Sequence, residues 1–239
     1  VDWKVDAGIA NAVTGTDFYA SQPAGVLKDG NGIPYGTLSF ASGETSKTIT
    51  LRIAGDSSLE VDETLRVNLS NPSSGTEIQG GTADGYVRND DAEFNITAGT
   101  ASVVEGDNGF TGTAMTYTVT RTGYLTQTNT VNWAVGHGTT NTNDFTNGSN
   151  ANINPSGTLT FNSGVTTQTI TVYAYGDTDV GSIENNETFN INLSGANAGS
   201  SIGATGSYTS TIQNDDTRIT ASIDDMRVAE TVAGQSTTF

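Results

Sequence analysis

The sequence predicts an all-β chain of tandem immunoglobulin-like β-sandwiches, about seven strands each. Three features carry this: short runs in which Val, Ile, Leu, Phe and Tyr alternate with polar residues, Gly, Asn, Ser and Asp between those runs, and an internal repeat of domain size. Alternation at period two places one face of each run inside. No stretch of useful length shows helical periodicity. With 29 Gly and only 34% hydrophobic residues among 239, the apolar residues must be concentrated in such strands for a core to form.

The repeat sets the domain organisation. Val1-Asp2-Trp3-Lys4-Val5 returns as Val131-Asn132-Trp133-Ala134-Val135, and Asp17-Phe18 returns as Asp144-Phe145. Gly36-Thr37-Leu38-Ser39-Phe40 matches Gly157-Thr158-Leu159-Thr160-Phe161, and Lys47-Thr48-Ile49-Thr50 matches Gln168-Thr169-Ile170-Thr171. Asp62-Glu63-Thr64-Leu65 pairs with Asn186-Glu187-Thr188-Phe189. Asn89-Asp90-Asp91 pairs with Asn214-Asp215-Asp216, so Asp91 and Asp216 stand 125 residues apart, as do Glu105 and Glu230. A period this long is a whole domain in an array. The expected units are 1–91, lacking its first two strands, a complete unit over 92–216, and the first strands of a third over 217–239.

Within the complete unit the alternation predicts strands near 94–104, 114–122, 129–136, 157–162, 167–175, 187–194 and 206–213. Its inward positions name a core of Tyr117, Val119, Val131, Trp133, Val135, Leu159, Phe161, Ile170, Val172, Phe189, Ile191, Leu193, Tyr208 and Ile212. Trp3 and Trp133 share one inward position and read as core residues rather than a stacking platform.

The acidic residues then fall mostly at strand ends and in loops. They are Glu105 and Asp107 between the first two strands, Asp144 after the third, Asp177, Asp179, Glu184 and Glu187 between the fifth and sixth, and Asp215 with Asp216 after the last. Sandwich connectivity brings those loops to one end. Carboxylates that close raise one another's pKa unless a cation joins them. Calcium, which accepts six to eight oxygen ligands in irregular geometry, suits such loops better than magnesium. Zinc is disfavoured by the absence of Cys and the single His137. The alternative is that these are solvated turn residues, since Asp and Asn favour turns in any case.

The succession of Asp-Phe, Gly-Thr-Leu-Thr-Phe, a Thr-Ile-Thr strand, an acidic loop ending in Asp-Glu-Thr and a closing Asn-Asp-Asp resembles the Calx-β module, and the resemblance covers essentially the whole chain. It implies an immunoglobulin-like sandwich with calcium at one tip. Carried onto this sequence, the implied ligands are Glu105, Asp144, Asp177, Glu184, Asp215 and Asp216, with Glu187 next. In the first unit they are Asp17, Asp56, Glu60, Asp90 and Asp91, with Asp62 and Glu63 adjacent. Two departures stand out. The acidic loop opens with Gly55 or Gly176 where such modules often have Asp, and the closing pair is followed by Ala92 or Thr217 rather than a further acid. The second acidic loop is also three residues longer than the first.

A formal charge of −17 excludes a basic groove for nucleic acid. No apolar stretch reaches the length of a membrane span. A single His and recurrent tip acids argue against catalysis, because an active site is normally built once. The expected function is a calcium-rigidified spacer, stalk or filament segment of a secreted or cell-surface protein, and the runner-up is an adhesin whose tip loops hold a glycan or protein. Expected partners are neighbouring modules of the same protein or other copies. Either the chain is an excerpt of a longer repeat protein, or residues 217–239 complete the first unit of a neighbouring copy by head-to-tail strand addition. The acceptor pattern Asn-X-Ser/Thr at Asn68, Asn95, Asn147, Asn186 and Asn192 is near chance in a chain so rich in these residues.

Overall fold

In a computed structural model, residues 1–176 and 185–216 are described. The first 91 residues build one five-stranded sheet from β1 (Asp2–Asp6), β2 (Val26–Lys28), β3 (Pro34–Thr37), β4 (Glu63–Ser70) and β5 (Thr82–Val87), in the order β2-β3-β1-β4-β5. Trp3, Val5, Val13, Phe18 and Ile33 form its buried cluster.

Residues 92–216 form two five-stranded sheets. In the first, β6 (Ala92–Gly99), β8 (Gly109–Gly123), β10 (Phe145–Thr146), β12 (Thr167–Gly176) and β14 (Ser200–Ile202) run in the order β10-β12-β8-β6-β14. In the second, β7 (Ser102–Val104), β9 (Asn129–His137), β11 (Ser156–Phe161), β13 (Glu187–Ser194) and β15 (Ser207–Gln213) run in the order β11-β9-β13-β15-β7. Ile170, Val172 and Ala174 of β12 share one core with Phe189, Ile191 and Leu193 of β13, with Phe94 against Phe161 and Phe145 against Phe189 at ring-centroid distances of 5.0 and 5.1 Å. The fold class is borne out, and so are the predicted strands other than that over 94–104. Trp133, Leu159 and Tyr208 are only partly buried against that core, and Phe94, Ile96, Met115, Phe145 and Ala174 belong to it as well.

Two differences from the sequence reading have clear causes. The expected single strand over 94–104 divides into β6 and β7, which lie in different sheets. The ladder slips between Ile96 and Ala98, and at Gly99 a Cβ would fall 2.6 Å from Cδ1 of the Tyr117 ring, so the chain crosses where only glycine fits. The crossing is pinned because the Tyr117 hydroxyl donates to Ser210 Oγ, which donates to the Thr100 carbonyl, while Tyr208 donates to the Gly99 carbonyl. Burial raises the Tyr117 phenol to about 12. In the first unit, residues 47–53 correspond to β12 yet form no strand beyond a bridge between Ile53 and Phe18. β12 is laddered to β8. Among the described residues no strand pairs in that way with 47–53, so Ile49, Leu51 and Ile53 contribute side-chain packing alone.

Both tryptophans lie across a glycine. Trp3 is the register partner of Gly36 and Trp133 of Gly157, and a Cβ on either glycine would come within 2.9 Å of the indole Nε1. This explains why Gly-Thr-Leu recurs with the tryptophan. Arg121, 1% exposed, lies near the end of β8 and donates to the carbonyls of Leu125, Gln127, Phe161 and Asn162 and to Asn129 Oδ1, which ties two loops at the end of this unit opposite Glu105 and Asp144.

Candidate functional site

In each unit the tip is organised first by a capped 3-10 turn. Thr14 caps Gly15–Asp17 and Asn141 caps Thr142–Asp144, and in both the third residue's carboxylate reaches back to the cap. Asp17 Oδ2 accepts from the Thr14 amide, and Asp144 Oδ2 accepts from the Asn141 amide at 2.5 Å. One oxygen of each acid therefore fixes the loop. A Thr or Asn three residues before the Asp is a capping-box signal that was visible in the sequence.

A second recurrent bond closes the tip. The Asn89 amide donates to Asp62 Oδ1 at 3.0 Å, and the Asn214 amide donates to Asn186 Oδ1 at 3.1 Å. Asp62 and Asn186 thus hold the closing Asn-Asp-Asp in place through an oxygen that either residue type supplies. Asn89 also accepts from the Glu60 amide and donates to the Asp91 carbonyl.

The first unit brings its sequence-predicted acids together. Asp17, Asp56, Glu60, Asp90 and Asp91, joined by Glu63, line one pocket of about 240 Å³. Their mutual repulsion is reflected in the pKa directions. Glu60 is raised by partial burial and then by Asp56, Asp17 and Asp91. Glu63 is raised by burial, then by Asp17 and Glu60, and Asp91 by burial, then by Asp90 and Asp56. Asp91 is 6% exposed.

The second unit is built differently. Glu105 is buried and begins a loop whose Gly106 amide donates to Asp215 Oδ1, which joins the first loop to the closing pair. Glu105 and Asp144 line a pocket of about 400 Å³, whose other walls are Phe110, Tyr175 and a loop of Asn, Ser and Ala. Glu187 is half-buried at the start of β13 and Asp216 is half-buried beside the exposed Asp215. Asp177, Asp179 and Glu184 lie outside the described residues. Phe110 and Tyr175 were not singled out from the sequence, because one begins β8 and the other ends β12 and only the register brings them together.

The six acids of the first pocket offer oxygen donors, in keeping with a hard cation, and Arg88 is the one basic residue among the described lining. Among the described residues no three acids or histidines are disposed, as placed, to hold a metal ion. His137 is committed to packing, with Nδ1 3.1 Å from the Thr140 hydroxyl and its ring 5.8 Å from that of Phe145.

A protein-family model described as the Calx-beta domain matches residues 32–97 and 87–216. No curated protein matches the chain. Among solved structures the chain is similar to the apo-form Calx CBD1 domain, with 23% identity over 52% of this chain and 98% of that one and a TM-score of 0.43. It is similar to the Calx CBD2 domain at 12% identity over 52% and 86%, with a TM-score of 0.41. The calcium binding domain CBD12 of CALX1.1 is similar at 16% identity over 90% and 85%, with a TM-score of 0.37.

Proposed function

Because the chain belongs to the Calx-beta domain family, we propose that its acidic tips bind calcium and that the bound ion stiffens the joint between successive units of a non-catalytic spacer or stalk. The observation that carries this is the first tip, where six carboxylates line one small pocket and three are pushed above their ordinary values by burial and by one another. Asp17, Asp56, Glu60, Glu63, Asp90 and Asp91 would hold the ion, with Glu105, Asp144, Asp215 and Asp216 as the second tip's counterparts. The ion supplies positive charge and a coordination demand that oxygen donors meet. Rotation of the exposed Asp56, Glu60 and Asp90 side chains is what binding would require of the protein.

The same residues bear on the joint. The Asp91 carbonyl accepts from the Tyr124 amide at 2.8 Å, and Ala92, the next residue, opens β6 with its amide donating to the Gly199 carbonyl. Leu59 of the acidic loop lies against Gly123. An ion that fixes Asp90 and Asp91 would therefore also restrain the start of the second unit. On this reading the protein works outside the cell or on its surface, where calcium-binding modules have dissociation constants of about 10⁻⁴ to 10⁻³ M.

Calorimetric titration of chelated protein with calcium should give saturable uptake, a higher melting temperature and a more extended particle by solution scattering. A ligand that binds only the folded state stabilises it by about 2.7 kcal/mol at a hundred times its dissociation constant. Equal stability and equal extension with calcium and with chelator would remove the reading.

A further inference from the structure

The pocket at the tip of the second unit has more than acids in it. Phe110 is 52% exposed, and its ring centroid lies 5.7 Å from that of Tyr175 at an interplanar angle of 57°. An aromatic pair left at the surface beside a pocket is a feature that water disfavours and a ligand would cover. The opposite wall is polar and almost uncharged, with Asn143, Ser149, Asn150 and Asn152 lining the same 400 Å³ pocket. That volume lies in the range of small-molecule sites, roughly 300–1,000 Å³.

The wall is preorganised. The single proton of the Thr146 hydroxyl is shared between the Phe110 and Asn150 carbonyls, 2.8 and 3.0 Å away, and its oxygen accepts from the Gly148 amide. Asn147 Oδ1 accepts from the amides of Ser149 and Asn150, and Thr146 bridges to Ala151. These bonds are made by Thr146, Asn147 and the backbone, so the loop's shape does not consume the side chains of Asn143, Ser149, Asn150 or Asn152. A rigid loop loses little entropy when it binds.

We propose that this pocket binds a neutral saccharide, with a sugar ring on the Phe110–Tyr175 pair and its hydroxyls on Asn143, Asn150, Asn152 and Asp144. Sugar hydroxyls both donate and accept, and side-chain amides offer both functions on one planar group. The C–H face of a pyranose ring carries slight positive charge and is attracted to the negative face of an aromatic ring. Among the described residues no lining side chain is cationic, and Asp144 and Glu105 repel anions, so phosphorylated and carboxylated ligands are disfavoured. A simple ammonium ligand would use the rings and acids but would leave the amide N–H groups facing another donor.

The pocket shares Glu105 and Asp144 with the calcium reading but does not depend on it, and the test separates the two. Cellobiose, maltose, lactose and diacetylchitobiose are titrated at millimolar concentration into the whole chain, with calcium and with chelator, beside choline as a cationic probe. The expected result is saturable binding of at least one disaccharide. Phe110→Ala and Tyr175→Ala should each weaken it about tenfold or more, a loss of about 1.4 kcal/mol, while leaving calcium uptake unchanged. Phe110 is exposed, so its variant retains the fold, which circular dichroism checks. Failure of all four disaccharides to bind, binding indifferent to both aromatic variants, or binding of choline alone overturns the proposal. Loss of calcium uptake in wild type with sugar binding intact would instead sink the metal reading.

Discussion

Gly55 and Gly176 occupy the same place in the repeat and live under different constraints. A Cβ on Gly176 would stand 1.5 Å from the Gly106 carbonyl oxygen and 2.8 Å from that of Glu105, whereas one on Gly55 would meet nothing within 4 Å. The loop that begins at Glu105 makes the difference, since it packs over the end of β12 and no described segment does the same over Gly55. The glycine that replaces an acid in both loops is thus obligatory in one tip and free in the other. The lesson extends to the pockets: a tip open on that side gathers six acids, whereas a tip closed by the 105–110 loop gains Phe110 and an amide wall.

The largest effect should come from Gly176→Ala, which forces backbone apart and should cost about 3 kcal/mol or more, the upper range for overpacking. Gly55→Ala should change stability by less than about 0.5 kcal/mol. Hydrogen exchange that localises the loss to β8 and β12 amides checks the first, and equal losses in both variants would break the contrast.

A smaller effect concerns pH without calcium. Because Glu60, Glu63 and Asp91 have folded pKa values raised above ordinary ones, their protonation favours the folded state. Their contribution is complete below the ordinary carboxylate values and is lost as pH rises through the raised values toward neutrality. In chelator, the melting of the first unit should therefore rise as pH falls from neutrality toward the ordinary carboxylate range. Glu60→Gln with Glu63→Gln and Asp91→Asn should flatten that rise and abolish calcium uptake at this tip. The lowered values of Asp2, Asp6, Asp29 and Asp84, each set chiefly by hydrogen bonds, act in the opposite sense but only below the ordinary aspartate range.

The smallest effect belongs to Asp62→Asn. Asn186 already performs the same bond in the second unit, so the variant should shift stability by less than about 0.5 kcal/mol and leave calcium uptake intact. A clear loss of uptake on calorimetry would move Asp62 from a structural role into the site.

The sequence by itself determined the all-β class, the period, most strand positions in 92–216 and the acids of the first tip. These follow from alternation and from turn residues at repeated spacings, which are local properties of the chain. Glu63, read as merely adjacent, lines the pocket with the others, and Asp62 beside it does not. Successive residues of a strand point to opposite sides, so one step decides between pocket and support. Tertiary structure alone decided the split at Gly99, the missing strand over 47–53, the burial of Arg121 and the meeting of Phe110 with Tyr175. Each depends on which distant segment supplies the hydrogen-bonding partner or the ring opposite, and spacing along the chain carries no record of that.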